Sequence, residues 1–224
     1  MATVTIAATY GAGGSLIGPA VAQRLHLPFV DRAIPTAIVE RIHEPLVEAL
    51  ADDTKSGSRV GRLLNSALNY SGLFVGVPMA LEELGVAPDV AHTEVAIRTL
   101  ADRGGAVILG RAGVFVLKGR PDVFHVRVDG PVEARRRNSM AHEGLDYKTA
   151  TRLQQDADLA RRAYVSHFYP RAGAWEDPRH YQMVLDSTAI SIEVCVDLIA
   201  LAAREFFARS SPQPPSGAEK HGRH

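Results

Sequence analysis

The first 25 residues constrain the fold most strongly, because an apolar strand, a glycine turn and an apolar helix follow one another. The strand is predicted over 3–8, and Gly11, Gly13 and Gly14 precede a helix that is predicted to end near Leu25. Backbone N–H groups at the start of such a helix point outward, and glycines let an anion approach them closely. The segment therefore predicts a phosphate-binding turn. A tight strand-to-helix connection that binds no ligand is the alternative.

The spacing of these glycines separates two classes of phosphate-binding loop. The spacing of Gly11, Gly13 and Gly18 is two residues too long for the dinucleotide pattern G-x-G-x-x-G, and the P-loop pattern G-x-x-x-x-G-K-[ST] fits better. With Gly13 as the second glycine, Ala8 replaces the first glycine, Gly14 replaces the lysine and Ser15 supplies the hydroxyl. The lysine charge that acts on the β- and γ-phosphates is then missing. Two interpretations of Ser15 stay open, a magnesium ligand and a helix cap.

Beyond the turn, predicted strands alternate with predicted helices, which indicates an α/β fold with a largely parallel sheet. Ligands of such folds bind beyond the carboxyl ends of the strands, so we expect Asp31, Arg111 and Asp186 to lie near the glycine turn. The predicted strands cover 28–30, 106–109, 123–128 and 182–186, and the predicted helices cover 33–42, 89–102, 112–117, a segment from Pro131, 146–166 and 190–207.

The domain organisation follows from composition along the chain. Residues 1–208 are predicted to form one domain, in which 44–90 alternates apolar runs with glycines and indicates an inserted lobe of short helices and loops. Residues 209–224 are rich in proline, serine and glycine and are predicted to be disordered. The aromatic residues between Tyr164 and Trp175 are expected to pack under a loop rather than to stack on a base.

Charge and cysteine content exclude several classes of protein. The 25 basic and 25 acidic residues of the 224 give no net charge, which argues against binding nucleic acid or a membrane surface through bulk charge. Cys195 is the one cysteine, which excludes an intramolecular disulfide and a cysteine-based zinc site. The sequence shows neither a signal peptide nor a membrane-spanning stretch, so we expect a cytoplasmic protein.

Several stretches in the same order resemble the cytidylate kinase-like family, P-loop relatives of the nucleoside monophosphate kinases. The resemblance extends from about Val4 to Phe207. It implies a three-layer P-loop kinase fold with a helical inserted lobe and lid, and it implies ATP and magnesium as cofactors. The matching stretches are Tyr-Gly-Ala-Gly-Gly-Ser-Leu-Ile-Gly (10–18), Leu-Pro-Phe-Val-Asp (27–31), Val-Ile-Leu-Gly-Arg-Ala (107–112), Asp-Leu-Ala-Arg-Arg-Ala-Tyr (158–164), Trp-Glu-Asp-Pro-Arg-His-Tyr (175–181) and Leu-Asp-Ser-Thr (185–188).

The resemblance implies that the turn from Gly11 to Ser15, including Ala12, cradles the phosphates of the donor. On the acceptor side it implies that Asp31 and Arg111 face a nucleotide, with Arg111 on its phosphate, and that 44–90 is the acceptor-binding lobe. A salt bridge is the alternative role for Arg111. A helix cap is the alternative role for Asp31.

The resemblance also implies that residues 131–180 form a lid. Arg161, with Arg135 as a further candidate, would reach the transferring phosphoryl group, and Asp158 would bind substrate. From the residues alone, Asp158 and Arg161 predict a surface ion pair worth about 0.3–0.5 kcal/mol. By the same reasoning, Arg135 is predicted to lie on a solvated face of its helix.

The glycine turn departs from the family pattern in its charges. Members of the family usually read Ser-Arg-Glu-Tyr-Gly-Ser-Gly-Gly-Arg, and here both arginine positions are lost, to Ala8 and Ser15. Two functions therefore stay open. The first is phosphate transfer from ATP to a nucleoside monophosphate or similar small acceptor. The second is a non-catalytic kinase-like protein that senses a nucleotide or binds a partner, with the apolar stretch Leu63–Leu84 as a dimer or partner surface, or as core.

Overall fold

A computed structural model describes residues 2–30, 90–110 and 112–210 of the chain. Several predicted features lie outside the described residues: Asp31, Arg111, the helix at 33–42, the stretch Leu63–Leu84, the lobe at 44–90 except for its last residue, and the tail from 211 onward.

The described elements alternate along the chain as the sequence predicts. Pro131 stands at the N-cap of its helix rather than inside it. The strands are β1 (Thr3–Ala8), β2 (Phe29–Val30), β3 (Val107–Leu109), β4 (Val123–Asp129) and β5 (Met183–Asp186), and the helices are α1 (Gly14–Leu25), α2 (Val90–Arg103), α3 (Gly113–Val116), α4 (Val132–Glu143), α5 (Tyr147–Phe168) and α6 (Ile192–Ser210).

The described strands form one five-stranded sheet in the order β2-β3-β1-β4-β5, and all of their pairings are parallel. The register pairs Ile6 of β1 with Leu109 on one side and with Val126 on the other. Because β1 lies between β3 and β4, the turn that follows Ala8 emerges at the middle of the carboxyl edge of the sheet. This is the edge at which parallel α/β sheets bind ligands.

Helices cover both faces of the sheet, which confirms the three-layer α/β fold. Alternate residues of β1 point to opposite faces. Val4 and Ile6 pack with Ile17 of α1 and Ile199 of α6 in one core. The opposite face carries a second core, formed by α2, α3 and neighbouring strand residues, with the members Ile97, Ala101, Ala106, Ile108, Val116, Leu117 and Val123.

Two helix ends follow ordinary capping chemistry. The carboxylate of Asp146 accepts a hydrogen bond of 2.9 Å from the backbone N–H of Thr149 and so begins α5. α4 ends at Gly144, which adopts a left-handed conformation with φ 66°. α6 continues to Ser210, so Arg209 and Ser210, predicted to begin the disordered tail, are helical. In the described ranges, no helix combines the length and the apolar character needed to cross a membrane.

Candidate functional site

The glycine turn joins β1 to α1 through residues that favour left-handed backbone. Gly11 has φ 78° and Gly13 has φ 73°, a region that residues with a side chain rarely adopt. Gly13 is the N-cap of α1, and its carbonyl oxygen accepts hydrogen bonds from Leu16 and Ile17. Ser15 lies exposed in the first turn of the helix. The helix-cap interpretation of Ser15 is therefore wrong, because the cap is Gly13 and no side chain caps the helix.

Two close backbone approaches require glycine in this turn. A Cβ atom at Gly11 would lie 2.1 Å from the main-chain oxygen of Arg135, and one at Gly14 would lie 2.4 Å from the Cβ of Ala8. The two departures from the P-loop pattern are thus coupled. Ala8 has a methyl group where a P-loop has glycine. A side chain at position 14, where a P-loop has lysine, would therefore collide with that methyl group.

Arg135 of α4 is bound directly to the turn. Its Nη1 donates a hydrogen bond of 2.8 Å to the carbonyl oxygen of Tyr10, and its Nε donates one of 2.9 Å to that of Gly130. Only 5% of its side chain is exposed. The prediction of a solvated helix face is therefore wrong for Arg135.

Asp158 of α5 links the two candidate arginines of the lid segment. One of its carboxylate oxygens lies 3.4 Å from both terminal nitrogens of Arg135, and the other lies 3.4 Å from Arg161. The guanidinium carbon of Arg161 lies 4.9 Å from the centre of the Trp175 ring, within cation–π range. The pair Asp158–Arg161 therefore belongs to a half-buried network beside the glycine turn, which the prediction of an isolated surface ion pair missed.

A second carboxylate, Asp129 at the end of β4, extends this network. One oxygen accepts a hydrogen bond of 2.7 Å from the hydroxyl of Thr9 and lies 3.5 Å from the Nε of Arg135. The other oxygen pairs with Arg127, which also donates to the main-chain oxygen of Glu176. Sequence reasoning missed Arg127 and Asp129. The available signal was the two charged residues that alternate with apolar ones in an otherwise apolar strand.

A cleft of about 350 Å³ opens on the turn from the side of α4 and the β5–α6 connection. Asn138 and His142 of α4 line it together with Gly11, Gly13 and residues 187–192. The hydroxyl of Ser187 donates a hydrogen bond of 2.7 Å to the carbonyl oxygen of Ala12 and so fixes the turn to the β5–α6 connection.

The wall of the cleft near Ser187 is ordered by a further carboxylate. The side chain of Asp186 accepts hydrogen bonds from the hydroxyl and the backbone N–H of Thr188, at 2.6 and 2.9 Å. These bonds lower the pKa of Asp186, the hydroxyl bond most of all, because they stabilise its ionised form. Asp186 thus acts as a local support for the connection.

Comparison with known proteins identifies the family of the chain. The family model of the cytidylate kinase-like family matches residues 3–189, which include the sheet, the glycine turn, α4 and α5. The chain belongs to the cytidylate kinase-like family. Among curated protein sequences, none matches this cytidylate kinase-like protein.

A solved structure shows the same fold, and two others align with this chain at lower similarity. An uncharacterized protein from Eubacterium ventriosum ATCC 27560 aligns with 16% sequence identity and a TM-score of 0.60, over 91% of this chain and 99% of that chain. A sugar kinase from Janibacter sp. HTCC2649 aligns with 20% identity and a TM-score of 0.48, over 95% and 99% of the two chains. Shikimate kinase from Acinetobacter baumannii, solved with shikimate, aligns with 11% identity and a TM-score of 0.45, over 92% and 94%.

Some of the predicted site residues of this cytidylate kinase-like protein lie together in the structure, and two lie outside the described residues. The glycine turn, Arg135, Asp158 and Arg161 are brought together. Asp31 and Arg111 lie outside the described residues. Gly110 lies at the same edge of the sheet as the glycine turn, because its backbone N–H donates a hydrogen bond of 2.8 Å to the carbonyl oxygen of Ile6.

The donor groups beside the turn fit a magnesium ion that is held mainly by phosphate. Within the described ranges, no three histidine, cysteine, aspartate or glutamate side chains form a cluster that could hold a metal ion. Magnesium keeps several waters and binds through one or two protein groups together with substrate phosphates. The hydroxyl of Ser15, which is exposed, has the chemistry of such a protein group.

Proposed function

We propose that this cytidylate kinase-like protein binds ATP with magnesium and transfers the terminal phosphate to a nucleoside monophosphate or a similar small acceptor. One observation carries the proposal. The glycine turn lines a cleft through Gly11 and Gly13, and the carbonyl oxygen of Tyr10 beside it binds Arg135 of the arginine network. This arrangement suits a ligand with a polar base at one end and several phosphates at the other.

The donor would lie across the turn. Its phosphates would bind the backbone N–H groups of Gly11, Gly13 and Gly14 at the start of α1, where the helix dipole also favours an anion. Its base would enter the cleft, where Asn138 and His142 offer hydrogen-bonding groups.

Transfer would depend on positioning and on neutralising charge, because phosphoryl transfer demands little covalent chemistry from the protein. Arg135 and Arg161 would stabilise the charge that builds on the oxygens of the transferring group. A bound magnesium ion, held by Ser15, would neutralise charge on the β- and γ-phosphates. Asp158, which contacts both arginines, would orient their guanidinium groups.

The acceptor would approach from the end of β3. In this proposal Arg111 binds the phosphate of the acceptor and Asp31 binds one of its polar groups. Residues 44–90 form the acceptor-binding lobe. Lid closure by residues 131–180 would then exclude water, which otherwise competes with the acceptor as nucleophile.

A non-catalytic nucleotide sensor is the second candidate, and the composition of the turn favours it. Gly14 stands at the lysine position, and Ala8 and Ser15 replace the arginines usual in the family. A protein that keeps the turn and lacks these cations can bind nucleotide and turn it over slowly or not at all, because loss of one charge-stabilising group often costs about 3 kcal/mol of barrier lowering.

Calorimetric titration with ATP and with CMP, each with and without magnesium, combined with a phosphate-transfer assay, separates these functions. ATP binding with transfer to CMP or another monophosphate supports the kinase. ATP binding without transfer to any monophosphate supports the sensor. Absence of ATP binding at millimolar concentration contradicts both.

A matched pair of variants locates the transfer step. Arg161→Met should reduce transfer much more than it weakens ATP binding. Arg162→Met removes the adjacent guanidinium, which is 62% exposed and pairs with Glu176. It should leave both quantities unchanged.

A further inference from the structure

We propose that Arg127 binds the terminal phosphate of the donor nucleotide and supplies positive charge that the glycine turn lacks. The inference rests on the proposed ATP-binding function and adds a residue to it.

The position of Arg127 follows from the register of the sheet. β4 pairs with β1 so that Arg127 lies opposite Ala7, two residues before Thr9. The carboxylate of Asp129 then joins the two strands, because one oxygen binds Arg127 and the other accepts the 2.7 Å hydrogen bond from Thr9. The Asp129 carboxylate therefore links the Arg127 guanidinium to Thr9, which lies two residues before Gly11.

Arg127 and Arg161 meet at one aromatic ring. Their guanidinium carbons lie 5.4 and 4.9 Å from the centre of the Trp175 ring. The terminal nitrogens of Arg127 donate one hydrogen bond each, to Asp129 and to the main-chain oxygen of Glu176, so each keeps a second N–H group, and guanidinium groups bind phosphate oxygens with such donors. The Nε of Arg127 is buried and has no hydrogen-bond partner among the described residues.

The network has an excess of positive charge. It contains three guanidinium groups and two carboxylates, and none of the five side chains is more than 24% exposed. The five groups carry one net positive charge, and charge in a site shielded from water attracts an anion strongly. The members of the network are Arg127, Arg135, Arg161, Asp129 and Asp158.

The direction of the nucleotide decides which of its phosphates reaches this network. Gly11 and Gly13 line the cleft that suits the base, whereas none of the three arginines lines it. A nucleotide with its base in the cleft and its phosphates along the turn therefore brings its last phosphate to the guanidinium groups. ADP, which lacks that phosphate, ends before Arg127.

The experiment compares the affinities for Mg–ATP and Mg–ADP, measured by calorimetry, for the wild type and for Arg127→Met. The proposal predicts that Mg–ATP binds about 10–100-fold more weakly to the variant, the usual effect of losing a charge-assisted hydrogen bond. Mg–ADP should bind with unchanged affinity. Equal weakening of both ligands, or no weakening of Mg–ATP, overturns the proposal.

Arg120→Met is the matched control. Arg120 also pairs with a carboxylate two residues later, Asp122, and with Asp102, but it precedes β4 at the opposite end of the sheet. Its replacement should leave the affinities for both nucleotides unchanged. An equal loss of Mg–ATP affinity in Arg120→Met would show a general effect of removing an arginine and would overturn the proposal.

A double variant guards against misfolding of Arg127→Met. Arg127→Met with Asp129→Asn removes both charges and keeps an oxygen that accepts from Thr9. The proposal predicts that the double variant still discriminates poorly between Mg–ATP and Mg–ADP. Recovery of wild-type Mg–ATP affinity would show that Arg127 only balances Asp129, and would overturn the proposal while the proposed function stands. Failure of the wild type to bind Mg–ATP overturns the proposed function and this inference with it.

Discussion

The main-chain oxygen of Arg135 lies 2.1 Å from the point that a Cβ atom would occupy at Gly11. A methyl group at this position must therefore push α4 away from the turn, and α4 carries an arginine that binds the turn. We predict that Gly11→Ala lowers the free energy of unfolding by about 1–3 kcal/mol through strain and crowding. Nucleotide binding should fall with it, as measured by denaturant unfolding and by calorimetry.

Gly119 is a control for the conformational part of this effect. It has the same φ of 78°, and a Cβ atom there would meet nothing within 4 Å. Gly119→Ala should therefore show the cost of left-handed backbone alone and leave nucleotide binding intact. Equal losses of stability and of binding in the two variants would contradict the role assigned to the Gly11–Arg135 contact.

Removal of the Ser187 hydroxyl should loosen the turn. In Ser187→Ala the carbonyl oxygen of Ala12 loses its 2.7 Å hydrogen bond from a buried hydroxyl, which costs about 1–3 kcal/mol of unfolding free energy. Ser210→Ala removes an exposed hydroxyl that donates a hydrogen bond of 2.9 Å to the carbonyl oxygen of Phe206, and it should have little effect on stability. The measurement is thermal unfolding of both variants, with ATP affinity as second readout. An unchanged melting temperature for Ser187→Ala would show that Ser187 does not fix the turn.

The lysine of the P-loop can be restored only together with a change at Ala8. Gly14→Lys alone places a side chain 2.4 Å from the Cβ of Ala8, so we predict that it destabilises the protein by about 1–3 kcal/mol. Ala8→Gly in the same chain should relieve this contact, so that the double variant is more stable than the sum of the single effects implies. It should also bind ATP more tightly than the wild type, because the lysine adds a positive charge that attracts the phosphates of ATP. Additive effects in a double-mutant cycle would refute the coupling.

Stability should depend on pH through His125. Burial, and then the charge of nearby His180, lower the pKa of His125 from 6.5 to about 4. The unfolded chain therefore binds more protons between these values, and the contribution of His125 to stability is full above pH 6.5 and is lost as the pH falls to about 4. The shift corresponds to roughly 3 kcal/mol.

The difference in pH dependence between wild type and His125→Asn isolates this group from the carboxylates that also titrate. Denaturant unfolding between pH 4 and 6.5 should give a clearly flatter profile for the variant. His167→Asn, which changes an exposed histidine at the end of α5, should retain the profile of the wild type. Identical profiles for wild type and His125→Asn would refute the prediction.

The sequence predicts the fold well where local patterns decide the structure. β1 has the predicted bounds, Thr3–Ala8, because an apolar run ends at a glycine turn and leaves little choice. Cys195 is buried in α6, and burial raises the pKa of its thiol. The ends of helices, such as α6 at Ser210, are less predictable because several polar residues can continue the last turn.

The site is less predictable because it depends on contacts between distant positions. Arg127 meets Trp175 only after β4 has paired with β1 and the chain has returned through α5. Arg135 has an ordinary surface sequence around it, yet it is buried, since Tyr10 of the turn supplies the acceptor for its guanidinium. The coupling between Ala8 and Gly14 likewise needs the close packing of β1 on α1, which residue types alone do not show.

The most direct test of the account follows the backbone N–H signals of Gly11, Gly13 and Gly14 in ¹⁵N-labelled protein during a titration with Mg–ATP. The account predicts saturable shifts at these three positions and at Ala12, with further shifts at Asn138 and His142 of the cleft. Unchanged signals at the glycine turn up to millimolar Mg–ATP would contradict it.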